Sequence, residues 1–192
     1  MSVPQETFIF EGSVRFNIDP RGNNPESQSS NDKNTNPSVD EENAKKPERD
    51  QEIIKVLKQV GLWDKVEAIG GLDAILHEKM LSHGQVQLLA LARALMRREH
   101  GRVLLLDEVT SSLDTTTRTL MDTVIREEFK DWTTLVIAHE LDAVLDLDRV
   151  AVLDAGKLVE FGEPRALLEK DDSWFRSLYL LSTKASGTGV AA

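Results

Sequence analysis

Two apolar segments of the sequence end directly in side chains that could take part in phosphate binding or phosphoryl transfer. Val103 to Leu106 form an apolar run that continues into Asp107 and Glu108, and a second run, Leu135 to Ala138, ends at His139. One carboxylate could coordinate a hydrated magnesium ion, and the other could polarise an attacking water molecule. The histidine could form a hydrogen bond with a phosphate oxygen or with that water. An acidic pair can also end a strand without any chemical role, and a single histidine there is often structural, so both interpretations stay open.

A third polar motif, Leu81-Ser82-His83-Gly84-Gln85, stands at the start of a long predicted helix. Ser82 and Gln85 have the spacing of a capping box, in which each side chain bonds the backbone of the other residue. The free N–H groups of a helix N-terminus bind anions, and a glycine lets a phosphate approach the backbone. Capping does not account for Gly84, because glycine costs about 1 kcal/mol inside a helix. A functional reason for this glycine is therefore favoured.

A fourth motif, Ser111-Ser112-Leu113-Asp114, follows shortly after the acidic pair. Its polar side chains could line a ligand site, and they could equally cap the helix that follows. That predicted helix has one apolar face, made of Leu120, Met121, Val124, Ile125 and Phe129.

Strands and helices alternate along the chain, which is typical of an α/β fold with a parallel sheet flanked by helices. The apolar runs 103–106 and 135–138 are short and continuous, as expected of strands covered on both faces. The long helix is predicted from Ser82 to Gly101. Its buried stripe consists of Leu88, Leu89, Ala92, Leu95 and Met96. Ligands of such sheets bind beyond the carboxyl ends of the strands, so we expect the acidic pair and His139 at one edge.

The segment from Pro20 to Asp50 is poor in apolar side chains and rich in Pro, Asn and Ser. This composition predicts a disordered insertion. Before it, Ser13 to Ile18 is predicted to be extended, and after it Asp50 has the features of a helix N-cap. Toward the C-terminus we expect a β-hairpin over 150–161 and a helix around Trp174. The chain is thus divided into segments 1–19, 20–50, 51–182 and 183–192, of which the second is expected to be disordered and the last flexible.

The composition narrows the class of protein. The 192-residue chain contains no cysteine, which excludes disulfides, thiolate metal sites and cysteine nucleophiles. Its net charge of −10 argues against nucleic acid as a partner, because phosphate-binding surfaces need an excess of Lys and Arg. No apolar run approaches the roughly 20 residues of a membrane span, and the first residues lack the features of a secretory signal. Any attachment to a membrane is therefore expected to come from another segment.

Taken in order, these motifs resemble those of the nucleotide-binding domain of an ATP-binding cassette (ABC) transporter. The matches are Leu81–Gln85 to the LSGGQ signature, Val103–Glu108 to the Walker B strand, Ser111–Asp114 to the D-loop and His139 to the switch histidine. Gln5 resembles the Q-loop glutamine, so segment 1–19 would hold the Q-loop and the coupling segment. The resemblance covers nearly the whole chain outside the insertion, and it implies a P-loop NTPase-like sheet with a helical signature subdomain.

The resemblance also implies ATP and Mg²⁺ as cofactors and a role for each motif. Glu108 would be the general base or water-orienting carboxylate, and His139 the transition-state switch. Gln5 and Asp107 would lie on the magnesium side. The implied nucleotide-binding residues are Ser82, Gly84, Gln85 and Asp114, of which the first three would contact the γ-phosphate of ATP held by an opposite domain.

An opposite nucleotide-binding domain is therefore an implied partner, and so are the transmembrane domains of a transporter. Through those domains the chain would be attached to the cytoplasmic face of a membrane. The implied function is ATP hydrolysis coupled to export. Phe10–Pro20 and Val159–Pro164 look most like the second nucleotide-binding domain of the C, or multidrug-resistance-associated, subfamily.

One departure from the family pattern is the missing P-loop. A P-loop reads GxxxxGK[ST], whereas the single Gly-Lys pair of this chain, Gly156-Lys157, is followed by Leu158. In the family this loop lies upstream of Gln5, so we expect the chain to begin inside the domain, to be incomplete at its N-terminus and to be inactive by itself.

Two alternatives stay open. A soluble ABC ATPase of DNA repair or translation would share the motifs but should be basic. A non-catalytic interaction protein, or a truncated gene product that pairs with a nucleotide-binding domain, would explain the missing P-loop.

Overall fold

Seven strands and seven α-helices make up the computed structural model, which describes residues 1–20, 39–109 and 113–185. The strands are β1 (Ser2–Val3), β2 (Gly12–Ser13), β3 (Ile75–Leu76), β4 (Val103–Asp107), β5 (Thr133–Ile137), β6 (Val150–Asp154) and β7 (Lys157–Gly162). The helices are α1 (Val14–Ile18), α2 (Val39–Gln59), α3 (Trp63–Ala68), α4 (His83–Leu95), α5 (Thr115–Glu128), α6 (Pro164–Leu168) and α7 (Trp174–Ala185). The chain divides into two compact units, Met1–Ile137 and Ala138–Ala192. Within the described ranges, no helix combines the length and the apolar character that a membrane crossing requires.

The central sheet of the first unit has the strand order β1-β4-β5, and its strands are parallel. Ser2 pairs with Leu105, and Val103 pairs with Thr133. Helices accompany this sheet, so the predicted α/β fold is confirmed. Because the strands are parallel, the residues that follow β1 and β4 emerge at the same edge of the sheet.

β5 differs from the strand predicted for it. It starts two residues before Leu135 and ends at Ile137 rather than at Ala138. The expectation that it is covered on both faces is wrong, because Leu135 is 55% exposed and Ile137 is 50% exposed. Among the described residues, β5 is the outer strand of this sheet and pairs with β4. On the inner strand β4, Leu104 is fully buried, but Val103 is 45% exposed, so the prediction of a strand covered on both faces also fails at the start of β4.

Helix α4 starts at the predicted position. Ser82 is its N-cap, and both hydrogen bonds of the capping box with Gln85 are present. The apolar stripe predicted for this helix is buried throughout. The α-helix ends at Leu95 rather than near Gly101, and a short 3₁₀ helix, Arg98–His100, follows it.

The region around the predicted insertion contains more helix than its composition indicates. Residues 21–38 lie outside the described residues, but α2 begins at Val39 and runs through Asp50, so the prediction of an N-cap at Asp50 is wrong. Asp50 instead accepts hydrogen bonds of 2.7 and 2.8 Å from Arg15, and Asp19 accepts one of 2.7 Å from Arg49. Arg15 belongs to α1, a helix where an extended segment was expected, which is capped by Ser13.

The second unit is built on the predicted hairpin, which the structure confirms. β6 and β7 are antiparallel, and the two residues between them, Ala155 and Gly156, have φ values of 47° and 77°. Two successive positive φ angles are typical of the tight turns that join twisted strands. The buried side chains of this unit are Val144, Val150, Val152, Leu167 and Phe175. Helix α7 runs to Ala185, past the predicted start of the tail at Thr183, and residues 186–192 lie outside the described part.

Candidate functional site

The predicted acidic pair lies at the carboxyl end of β4. Asp107 is the last residue of the strand, and the backbone N–H of Glu108 donates a 3.0 Å hydrogen bond to the carbonyl of Ile137 on β5. Glu108 has a φ of +50°, which non-glycine residues rarely adopt. Such backbone strain clusters at sites where a side chain must be placed in a fixed direction.

Gln5 and Glu108 are brought together at this edge of the sheet. The Gln5 side chain donates a 3.0 Å hydrogen bond from Nε2 to Oε2 of Glu108. Gln5 follows β1, which lies beside β4 in the sheet, so the parallel pairing explains why two residues so distant in sequence meet. Since the amide nitrogen of Gln5 faces Glu108, its amide oxygen is the atom that it can offer to a cation. Together with the Asp107 carboxylate, this oxygen belongs to the class of donors that magnesium prefers.

The side chains of the third motif are engaged in capping. Ser82 Oγ accepts a 3.2 Å hydrogen bond from the backbone N–H of Gln85, and the backbone N–H of Ser82 donates a 2.9 Å hydrogen bond to Gln85 Oε1. Both side chains thus fix the start of the helix. The first turn still presents backbone N–H groups with no acceptor within the helix, which suits an anion.

Gly84 has a packing role that the sequence did not reveal. A Cβ atom at this position would lie 3.3 Å from Thr117 Cγ2 and 3.5 Å from Leu113 Cδ2. The start of α4 therefore comes close to the start of α5, and a larger residue would force a small displacement there. This contact accounts for a glycine without a ligand, so Gly84 no longer favours phosphate binding by itself.

Asp114 is the N-cap of α5. It accepts hydrogen bonds of 3.0 Å from the Thr117 backbone and 2.6 Å from the Thr117 hydroxyl. The hydroxyl bond, followed by the backbone bond, lowers the pKa of Asp114 below its usual value. Of the two interpretations left open by the sequence, the structure shows the capping contact. Ser111 and Ser112 lie outside the described residues.

His139 belongs to the second compact unit, which begins at Ala138. Its side chain is exposed. The pairing of His139 with Glu108 in one site stays a prediction.

Sequence reasoning missed two polar side chains of α4. The Gln87 amide donates a 2.6 Å hydrogen bond to the carbonyl of Gln5. Arg93 donates to the carbonyls of Asn17 and Phe8 over 2.6 and 2.8 Å, and its guanidinium lies 5.0 Å from the centre of the Phe10 ring. Burial, and then the neighbouring Arg97, lower the pKa of Arg93 to about 10. Gln87 and Arg93 could have been found in the sequence, because each is a polar residue within an otherwise apolar helical stretch.

A groove of about 360 Å³ lies beside the segment that follows β1. Its walls come from this segment and from α4, and they include Pro4, Thr7, Phe8, Phe10, Arg93 and Arg97. Phe8 and Phe10 are exposed there. Two exposed aromatic rings beside two cationic side chains are typical of a surface that contacts another protein segment.

Comparison with known proteins identifies the family. A family model described as "ABC transporter" matches residues 3–111, a range that contains Gln5, the Ser82 motif and the acidic pair. The chain is 54% identical over 183 residues to the ABC multidrug transporter lscH of Purpureocillium lilacinum, and this alignment covers 95% of the chain and 11% of that protein. It is 41% identical over 180 residues to the ABC multidrug transporter B of Aspergillus fumigatus, covering 94% of the chain and 11% of that protein.

A solved structure has the same fold. A bacterial Atm1-family ABC exporter with ATP bound superposes with a TM-score of 0.69 at 27% identity, covering 100% of this chain and 28% of that one. By comparison, the chain spans about a tenth of the length of each of the two fungal relatives. On the match of the family model and the agreement in fold, this chain belongs to the ABC transporter family.

Proposed function

We propose that this chain is part of a nucleotide-binding domain that hydrolyses ATP and couples hydrolysis to export across a membrane. The observation that carries the proposal is the meeting of Gln5 and Glu108, 3.0 Å apart at the carboxyl ends of two parallel strands. The names of the fungal relatives support a multidrug transporter as the parent protein. The segments Phe10–Pro20 and Val159–Pro164 further support the second nucleotide-binding domain of the C subfamily.

Each predicted catalytic or magnesium-binding residue has a distinct role in the proposal. Asp107 and Gln5 would hold Mg²⁺, because carboxylate and amide oxygens suit this cation. Glu108 would orient and deprotonate the attacking water, and the left-handed backbone at this residue (φ +50°) keeps its carboxylate at the sheet edge. His139 would stabilise the transition state by hydrogen bonding. When bound, Mg²⁺ and ATP supply the reactive γ-phosphoryl group and the charge that neutralises it.

The start of α4 would serve a second site rather than the one beside Glu108. Ser82, Gly84 and Gln85 present the N-terminal end of the helix, whose N–H groups and dipole favour an anion. In the proposal this end, together with Asp114, contacts ATP held by an opposite nucleotide-binding domain. That domain is then a partner in catalysis, because each active site needs residues from both.

The transmembrane domains of the parent transporter are the other proposed partner. The groove lined by Phe8, Phe10 and Arg93 adjoins the segment that carries Gln5, so a segment bound there could sense or alter the position of Gln5. The chain would be held at the cytoplasmic face of the membrane through this contact.

The chain by itself is expected not to hydrolyse ATP, because it contains no GxxxxGK[ST] motif to hold the γ-phosphate beside Glu108. The experiment compares steady-state hydrolysis by the purified chain with hydrolysis by the full-length transporter. Activity confined to the transporter supports the proposal. Hydrolysis by the chain alone that disappears in Glu108→Gln would overturn the expected inactivity of the chain but would agree with the role of Glu108. A full-length transporter that does not hydrolyse ATP would contradict the proposal.

A non-catalytic role is the second candidate, and the same missing motif favours it. In that case the chain would contribute only the start of α4 to the ATP site of a partner domain. The two functions are separated by Glu108→Gln in the full-length transporter, which removes catalysis at this site in the first case and changes nothing in the second.

A further inference from the structure

Gln87 is a buried glutamine of α4 that has no part in the function proposed above. It is 1% exposed, and its Nε2 donates a 2.6 Å hydrogen bond to the carbonyl oxygen of Gln5. A carbonyl oxygen only accepts hydrogen bonds, so the amide nitrogen of Gln87 and not its oxygen must face Gln5. The contact joins α4 to the segment that follows β1.

Packing alone does not explain a glutamine at this position. The Oε1 atom of Gln87 is buried and has no hydrogen-bond partner, a situation that destabilises a protein by about 1–3 kcal/mol. A leucine of similar size would avoid this destabilisation. The feature that leucine could not supply is the hydrogen bond to Gln5.

Gln5 connects Gln87 to Glu108 of the acidic pair through two hydrogen bonds. Its carbonyl is held by Gln87 while its side chain reaches Glu108 Oε2 over 3.0 Å. The donor side of this hydrogen bond is buried, because Gln87 is 1% exposed, whereas Gln5 itself is exposed.

We propose that Gln87 is a positioning residue for Glu108. By fixing the Gln5 carbonyl, it keeps the Gln5 amide against the Glu108 carboxylate and so orients this carboxylate toward its water. The proposal rests on the proposed function of Glu108, and it makes α4 a structural support for the carboxylate of its own domain.

The test uses Gln87→Leu in the full-length transporter, with Gln59→Leu as the matched control. Gln59 also donates one 3.0 Å hydrogen bond, but to Glu128 rather than to Gln5. It too has a buried Oε1 without a hydrogen-bond partner. Because a small misplacement of a catalytic group slows the reaction strongly, we expect Gln87→Leu to lower kcat about tenfold with the KM for ATP within about twofold. Gln59→Leu should leave kcat within about twofold of the unmodified rate.

A double-mutant cycle identifies the path of the effect. If Gln87 acts through Gln5, adding Gln87→Leu to Gln5→Ala should lower kcat no further. Effects that multiply instead, or a kcat for Gln87→Leu equal to that of Gln59→Leu, would overturn the proposal. Gln87→Met serves the same purpose if the leucine variant does not fold.

Hydrogen exchange provides a readout that does not depend on hydrolysis. Without nucleotide, Gln87→Leu should raise amide exchange in residues 5–7 by about fivefold or more, while Gln59→Leu should not. Unchanged exchange in residues 5–7 refutes the positioning role even if the transporter is active. Raised exchange in a transporter whose hydrolysis is unaffected by Glu108→Gln would refute the catalytic function of Glu108, and with it any positioning role of Gln87 in catalysis.

Discussion

The left-handed backbone at Glu108 and its hydrogen bond to Gln5 define the site at the scale of single residues. The residue types were predictable, because an acidic pair after an apolar run is a recognisable pattern. The φ of +50° and the 3.0 Å contact with Gln5 were not, since they arise from strand pairing across more than a hundred residues. The role of Gly84 was ambiguous in the sequence for the same reason, because its neighbours Leu113 and Thr117 come close only once α4 and α5 are packed. The contact of Asp114 with Thr117 is local, so capping could be predicted there as one of two interpretations.

Ser82 allows a prediction about the opposite site. Ser82→Arg in the full-length transporter places a bulky side chain where the phosphate of the opposite domain would bind. Because misplacement of about 1 Å can slow a reaction about 100-fold, we expect hydrolysis at the opposite site to fall by that order. Nucleotide affinity of this domain's own site should stay nearly unchanged, as measured by photolabelling the two halves separately.

Ser82→Ala is the control for this experiment, since it also removes the capping hydrogen bond and is expected to lower the free energy of unfolding by about 1 kcal/mol. If labelling of this domain's own site is what disappears in Ser82→Arg, the assignment of Ser82 to the opposite site is wrong.

At the scale of elements, the start of α4 was predicted correctly, whereas the end of α4 and the start of α2 were not. The start of α4 is encoded locally, because Ser82 and Gln85 cap it within one turn. The first half of α2 has few apolar residues, and two ion pairs from distant segments help to hold it: Arg49 with Asp19 and Asp50 with Arg15. A composition-based prediction of disorder cannot register partners that lie 30 or more residues away in sequence.

The ion pair between Arg15 and Asp50 allows a test of how α2 is held against α1. The side chain of Asp50 is 25% exposed and that of Asp73 is 80% exposed, while both bind Arg15. Asp50→Ala should lower the free energy of unfolding by about 3 kcal/mol, because it leaves a buried guanidinium without its better partner. The matched variant Asp73→Ala should cost about 1 kcal/mol or less. Urea unfolding of the complete nucleotide-binding domain of the transporter measures both values, and equal effects would show that Asp50 does not anchor the helix.

Arg93 provides a second test at this scale. Its guanidinium donates to Phe8 and Asn17 at the same time, a geometry that a lysine ammonium cannot reproduce. Arg93→Lys is therefore expected to lower the free energy of unfolding by about 2 kcal/mol. Arg97→Lys, a change of the same type one turn later, should have an effect below about 0.5 kcal/mol. A fully tolerated Arg93→Lys would show that charge alone is needed there.

At the scale of the whole molecule, apolar side chains are exposed on both compact units. Leu135 and Ile137 on β5 are exposed in the first unit, and Leu153 and Phe161 on the hairpin are exposed in the second. Exposed apolar patches of this kind mark contact surfaces or promote aggregation, and an outer strand offers unpaired backbone groups to another chain. The apolar runs could be recognised in the sequence, but their exposure depends on which strands pair with them.

We therefore expect the purified chain to self-associate in spite of its net charge of −10. Co-expression with the segment of the same transporter that carries a GxxxxGK[ST] motif should give a soluble complex that binds ATP. Sedimentation and nucleotide-binding measurements check both parts. A chain that is monomeric alone, with a single cooperative unfolding transition, would contradict the expectation.

Steady-state hydrolysis by the full-length transporter carrying Glu108→Gln tests directly whether Glu108 is the catalytic carboxylate of an ATP-hydrolysing site. The substitution keeps the size of the side chain and removes its ability to accept a proton. Because general base catalysis contributes about 10²–10⁴-fold, the rate at this site should fall at least about 100-fold while ATP binding persists. A rate equal to that of the unmodified transporter would contradict the claim.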